Sequence, residues 1–164
     1  MAQRTYEEME INMNNVWMIL TAVAGICLCV GIFFLIKHCI IGYRRGRRKN
    51  AIDEMEGHDF EYFCAELLEK KGFIEVEVTR GSGDYGIDIL AEKDGVTYAI
   101  QCKRYAMPVG VDAVQQAYAG RDYYDRMVGA VMTNQYFTSP AVEAAKKLKI
   151  LLWDRGYLDS MMEE

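Results

Sequence analysis

The sequence predicts a mixed α/β domain, a sheet flanked by helices, preceded by one membrane-crossing helix. Three observations predict it. Residues 16–36 are apolar and carry no formal charge. Beyond residue 52, apolar residues at helical spacing alternate with short extended runs. Asp94-Gly95, set between alternating apolar residues, marks a tight hairpin turn.

The uncharged run of residues 16–36 is 21 residues long. As a helix it reaches roughly 31 Å, which matches a hydrocarbon core of about 30 Å. Gly25 and Gly31 are compatible with a membrane helix. A cleavable signal peptide is the rival reading, but such peptides place positive charge before the apolar run. Here Lys37, Arg44, Arg45, Arg47, Arg48 and Lys49 follow it, and Glu7, Glu8 and Glu10 precede it with Arg4. We read a retained single-pass anchor with an extracytoplasmic tail, residues 1–15, and a cytoplasmic domain. Residues 37–52 form a basic juxtamembrane linker, either a tether or a surface ligand for anionic membrane lipid at about 1 kcal/mol per basic residue near the headgroups.

Residues 53–158 supply the domain and residues 159–164 a tail. From about 53 to 71, Phe60, Phe63, Cys64, Leu67 and Leu68 define one helical stripe, and Gly72 is placed to stop it. Extended segments follow at about 74–79, 87–92 and 96–104. Residues 111–124 read as a helix with Val111, Val114, Ala117 and Tyr118 at helical spacing, and 127–133 as a buried strand. Ser139 reads as an N-cap with Pro140 in the first helical position, opening a helix to Lys149. Residues 150–154 are a last short strand.

Composition constrains the function. Residues 1–50 hold seven basic and three acidic side chains, net +4, and residues 51–164 hold 12 and 21, net −9, which reproduces the chain's −5. An acidic domain argues against a general nucleic-acid binder, since phosphate neutralisation supplies most non-specific affinity. Carboxylates that hold a cation are the exception, because the cation offsets their charge. Of five cysteines, Cys27, Cys29 and Cys39 lie in or beside the anchor, and Cys64 and Cys102 are isolated. No CxxC occurs, so a metal finger is excluded. A cytoplasmic face implies reduced thiols, with acylation of Cys39 the lesser alternative.

The turn at Asp94-Gly95 carries the chemistry. A two-residue turn there makes facing residues sum to 189, so Asp88 lies opposite Gln101, with Cβ atoms about 5 Å apart. Lys103 points to the same face, because side chains alternate along a strand. A carboxylate, an amide oxygen and an ammonium then converge, the layout of a site for a divalent metal and a phosphodiester. A three-residue loop would shift the register by one and separate Asp88 from Gln101. A solvated Asp88–Lys103 ion pair is the other reading of the same geometry. Glu61 lies at the edge of its helix stripe, where it can reach a cleft. Glu66 and Glu69 read as solvated. Gly81-Ser82-Gly83-Asp84-Tyr85-Gly86 is a glycine-rich loop that either lets a phosphate approach or only connects strands, with Asp84 read as a turn former. No helix follows the loop, so it is not a nucleotide-binding loop.

At these residues the chain resembles a known family. His58-Asp59-Phe60-Glu61, Ala65-Glu66-Leu67-Leu68, Gly72-Phe73 and Val76-Glu77-Val78-Thr79 lead into Gly83-Asp84-Tyr85-Gly86-Ile87-Asp88. Gln101-Cys102-Lys103-Arg104-Tyr105, Val109-Gly110-Val111, Thr133-Asn134, Phe137 and Leu152 follow in order. Together they resemble the catalytic domain of Mrr-type restriction endonucleases, a branch of the PD-(D/E)XK nuclease superfamily in which Gln replaces the usual Glu at the position of Gln101. The resemblance implies a restriction-endonuclease-like fold and Mg²⁺-dependent hydrolysis of DNA phosphodiesters, with Mn²⁺ a possible substitute.

It further implies that Asp88, Gln101 and the backbone carbonyl of Cys102 ligate the metal, that Lys103 is catalytic and that Glu61 assists through water. Gly83, Arg104, Gln115 and Asn134 are candidate DNA contacts, the last at a helix mouth with Thr138. A homodimer is left open. The alternatives are a catalytically silent nucleic-acid-binding module tethered to the membrane, and a scaffold with no nucleic-acid role.

Overall fold

The computed structural model describes residues 2–79 and 85–163, with side chains except at 2–15, 19 and 44–50. Gly83 and Asp84 therefore lie outside the described residues. The chain divides into two compact units, Met1–Arg48 and Lys49–Glu164.

Helix α1 (Ala2–Glu54) makes up the first unit and ends in the second. Its stretch Val16–Tyr43, 28 residues, is long and apolar enough to cross a membrane. Trp17, Leu20, Phe33, Phe34 and Leu35 all stand exposed along it. The apolar stretch outruns the expected 16–36 because residues 38–43 add no formal charge. Residues 37–52, expected as a linker, are helical throughout. They contain no proline, and Arg and Lys are good helix formers. Near the end of α1, Ile52 is buried in the core of the second unit.

In that unit, α2 (Gly57–Lys70) is followed by β1 (Ile74–Val78), β2 (Ile89–Lys93) and β3 (Val96–Lys103). Next come α3 (Val111–Tyr123), β4 (Val128–Thr133), α4 (Ser139–Leu148), β5 (Ile150–Trp153) and α5 (Arg155–Glu163). The five strands lie in sequence order. β1, β2 and β3 are antiparallel neighbours, and β3–β4 and β4–β5 are parallel pairs. Parallel neighbours need crossover connections, and α3 and α4 supply them.

Each face of the sheet buries its own cluster. Phe60, Cys64 and Leu68 of α2 and Leu158 of α5 pack with Ile89, Ile100, Cys102 and Met132. On the other face, Val114 and Ala117 of α3 and Ala141 and Ala145 of α4 cover Val131 and Ile150. Ile87, Leu90 and Ala99 extend that side, with Tyr124 against them.

Three local expectations change. The C-terminal segment expected as a tail is α5, whose Leu158 and Met161 are buried. The N-cap of α4 is Thr138, whose hydroxyl accepts from Ala141 N at 3.4 Å, so Ser139 and Pro140 fall inside the first turn. The buried positions of α3 are Ala113, Val114, Ala117 and Gly120, while Tyr118 is exposed. Small residues at these positions let the helix lie close to the sheet.

Candidate active site

The hairpin register is the one that the Asp94-Gly95 turn dictates. Ile89 faces Ile100 and Lys93 faces Val96. Asp94 and Gly95 both adopt positive φ, +53° and +76°, as a two-residue turn of this twist requires. One residue before β2, Asp88 N donates to Ile100 O at 2.9 Å, which keeps Asp88 level with Gln101.

The two side chains meet. Gln101 Nε2 donates to Asp88 Oδ2, and the same oxygen accepts from Cys102 N at 2.6 Å. Gln101 Nε2 also donates to Cys102 O at 3.3 Å. Asp88 and Gln101 are 9% and 3% exposed, so these bonds form out of bulk water. Gln101 Oε1 is buried and has no hydrogen-bond partner among the described residues. An orphaned buried acceptor costs about 1–3 kcal/mol.

The side chain of Lys103, a half-buried residue, makes no hydrogen bond or ion pair with a described residue. The cross-strand Asp88–Lys103 ion pair is therefore not formed.

Two glycines shape the surroundings. Gly86 has φ +77°, and a Cβ there would stand 3.0 Å from Gln116 Cβ and 3.2 Å from Gln101 Oε1. Gly120 of α3 lies closer still: a Cβ would meet Ile87 Cγ1 at 2.3 Å and Tyr85 O at 3.1 Å. Gln116, Gly120 and Tyr123 share one face of α3, three and four residues apart, and line the segment 85–87 that leads into Asp88.

Cys102 turns away into the α2 side of the core. Its neighbour Cys64, burial, and the charges of Asp88 and Glu61 together push the thiol well above the ordinary range. It stays protonated and is no nucleophile.

The remaining candidates fall in different places. Glu61, half-buried, accepts from or pairs with His58 Nδ1 at 2.9 Å, and its charge is felt at Cys102 without contacting Asp88 or Gln101. Arg104 Nε donates to Met55 O, tying β3 back to the end of the α1 segment. Gln115 is exposed on α3.

Asn134 is 1% exposed and its amide is engaged. Its Oδ1 accepts from Tyr105 N at 2.9 Å, and its Nδ2 donates to Tyr105 O at 3.0 Å and to Asp53 Oδ1 at 2.8 Å. A DNA contact through that amide would require these bonds to break. Arg155 completes the cluster, donating to Asp53 Oδ1 at 2.7 Å and Asn134 O at 2.8 Å, with Asp159 at 3.7 Å. Arg155 holds the Asp53 carboxyl below the ordinary range, aided by Asn134 and opposed by burial.

Sequence reasoning gave Gln116 only a weighed DNA contact alongside Gln115, placed Gly86 only within the glycine-rich loop, and gave Tyr123 no role. Gly86 had a signal, its place two residues before Asp88. Tyr123 had none.

Among the described residues, no group of three or more His, Cys, Asp or Glu side chains is placed to hold a metal. The donors at the hairpin are instead one carboxylate, one amide oxygen and one backbone carbonyl, a hard-oxygen set suited to Mg²⁺ with water completing the shell. The amide nitrogen of Gln101 bridges the Asp88 and Cys102 oxygens, presenting positive hydrogens between two acceptors. The orphaned Oε1 beside them fits a site built for a cation.

Residues 52–162 match the family model Mrr_cat, described as restriction endonuclease. Two solved structures are similar. One is AF1548, a protein of unknown function, 26% identical over 66% of each chain with TM-score 0.57. The other is the MspJI restriction endonuclease, solved in complex with a 27-mer oligonucleotide, 17% identical with TM-score 0.51, covering 73% of this chain and 30% of that one. The chain thus spans less than two thirds of each. No curated protein matches. By the family match over residues 52–162, the chain belongs to the Mrr catalytic family of restriction endonucleases and carries a nuclease domain of that type.

Proposed function

We propose that the domain is a Mg²⁺-dependent DNA endonuclease held at a membrane by α1. The observation that carries this reading is the Asp88–Gln101 pair at the mouth of the hairpin, with an amide oxygen and, two residues on along the same strand, a Lys103 side chain that have no partner among the described residues. Asp88, Gln101 Oε1 and Cys102 O are the residues that would hold the ion. When bound, it would supply an activated water and neutralise charge on the scissile phosphate.

The chain's own contributions follow from the geometry. Cys102 N fixes the Asp88 carboxylate in one orientation. Gly86 leaves the room beside Gln101 Oε1 that a side chain would close. Lys103, whose charge no described carboxylate neutralises, is available to the phosphate and to the charge that grows on it. Glu61, whose charge is felt at Cys102, is assigned the role of orienting water by the family resemblance. Val16–Tyr43 supports the anchor by length and composition.

Lys103→Ala is expected to lower Mg²⁺-dependent plasmid nicking about a hundredfold to a thousandfold. Circular dichroism and melting temperature should be unchanged. Nicking at the wild-type rate by a folded variant would remove the mechanism and favour the silent binding module.

A further inference from the structure

We propose that Tyr85 and Tyr123 form a platform for an unpaired nucleobase beside the scissile phosphate, so that the preferred substrate is DNA with a flipped or bulged base. The inference rests on the nuclease reading above and names the substrate class of the same site.

The two rings stack with centroids 3.7 Å apart and planes 24° from parallel. Each covers one face of the other, yet Tyr85 is 57% and Tyr123 55% exposed. An aromatic pair that served only to pin the segment would bury its rings against the body of the domain. This pair instead leaves large aromatic surface facing water. It is supported from behind, since Tyr123 meets Tyr124 edge-on at 5.1 Å and Tyr124 packs on the cluster of Ile87, Leu90 and Ala99.

The position is what points to a base. Tyr85 adjoins Gly86, which abuts Gln101 Oε1, and it precedes Asp88 by three residues. The backbone that carries the ring runs directly into the residues proposed to meet the phosphate. Tyr85 holds this position at φ +49°, a conformation that an aromatic residue adopts only when its surroundings impose it. Gly120 leaves room for it: the absence of a side chain lets Tyr85 O and Ile87 settle onto α3.

Aromatic faces stack on any base without reading sequence, and such contacts change affinity by about tenfold or more per base. A base inside an intact duplex cannot reach the ring, whereas one already unpaired reaches it at little cost. A stacking platform also suits an acidic domain, since it adds affinity without basic residues.

The test uses the full chain in detergent micelles with Ca²⁺ in place of Mg²⁺. Anisotropy compares its binding to labelled duplexes of equal length, one fully paired and one with a single bulged 2-aminopurine. The wild type should bind the bulged duplex about tenfold more tightly and quench its fluorescence. Tyr85→Ala should bring the ratio near one and lose the quenching. Tyr85→Phe, which keeps the ring face, should retain both. Equal affinities in the wild type, or a ratio unaltered in both Tyr85→Ala and Tyr123→Ala, would overturn the proposal. If Tyr85→Ala fails to fold, the wild-type ratio and Tyr123→Ala decide it. Cleavage with Mg²⁺ is scored separately. Cutting without base preference sinks the platform alone, and base preference without cutting sinks only the nuclease reading.

Discussion

Gln101 decides how the site behaves before a cation arrives. Its amide can donate to Asp88 Oδ2, which a carboxylate in the same place could not do. Gln101→Glu would set two carboxylates face to face in a buried site, where like charges repel strongly. That variant should melt lower than wild type in EDTA at neutral pH, by about 1–3 kcal/mol. It should gain a larger rise in melting temperature on adding Mg²⁺, because binding to the folded state alone stabilises it. Equal Mg²⁺-induced shifts in the two proteins would speak against Gln101 as a ligand. The pairing of Asp88 with Gln101 was legible from two residues, Asp94 and Gly95, because a two-residue turn leaves one register. The occupation of Asn134 was not legible, since its partners Tyr105 and Asp53 are 29 and 81 residues away.

At the scale of elements, α3 acts as the template for the segment entering Asp88. Gln116, Gly120 and Tyr123 meet Gly86, Ile87 and Tyr85 in turn. Gly120→Ala would place a methyl 2.3 Å from Ile87 Cγ1, and Ile87 is fully buried, so the segment must move. A loss of about 1–3 kcal/mol in unfolding free energy is expected, together with reduced nicking. A variant as stable and as active as wild type would show that residues 85–87 shift without consequence for Asp88. Helical periodicity in the sequence located α3 but misassigned part of its buried face, placing Tyr118 where Ala113 and Gly120 belong. Spacing identifies a stripe; which small residues it includes depends on how near the sheet approaches.

For the whole molecule, the second unit is closed by Arg155. It links Asp53, at the end of α1, to the chain after β4 and to α5, across a separation of 102 residues. Arg155→Ala would take the bidentate partner from Asp53 and a donor from the Asn134 carbonyl, and a cost of about 3 kcal/mol or more is expected in denaturant melts. Because Asp53 has its folded pKa lowered, its contribution is full above the ordinary carboxylate value of 3.8 and fades as pH falls through the lower folded value. Asp53→Asn should therefore reduce stability at neutral pH and flatten its loss below about pH 4. The first unit makes a separate prediction: the full chain should sediment with membranes through a carbonate wash, and deletion of residues 1–48 should release it. Recovery of the full chain in the soluble fraction would refute the anchor.

The amino-acid sequence alone determined the apolar segment, the α/β order, the hairpin register and the family, because each rests on patterns spanning a few residues or on an ordered string of motifs. Only the tertiary structure decided that Tyr123 meets Tyr85, that Gln116 and Gly86 flank the Gln101 amide, and that Asn134 and Arg155 belong to the framework. Those contacts join residues far apart along the chain, and their formation depends on the packing of α3 and α5 against the sheet.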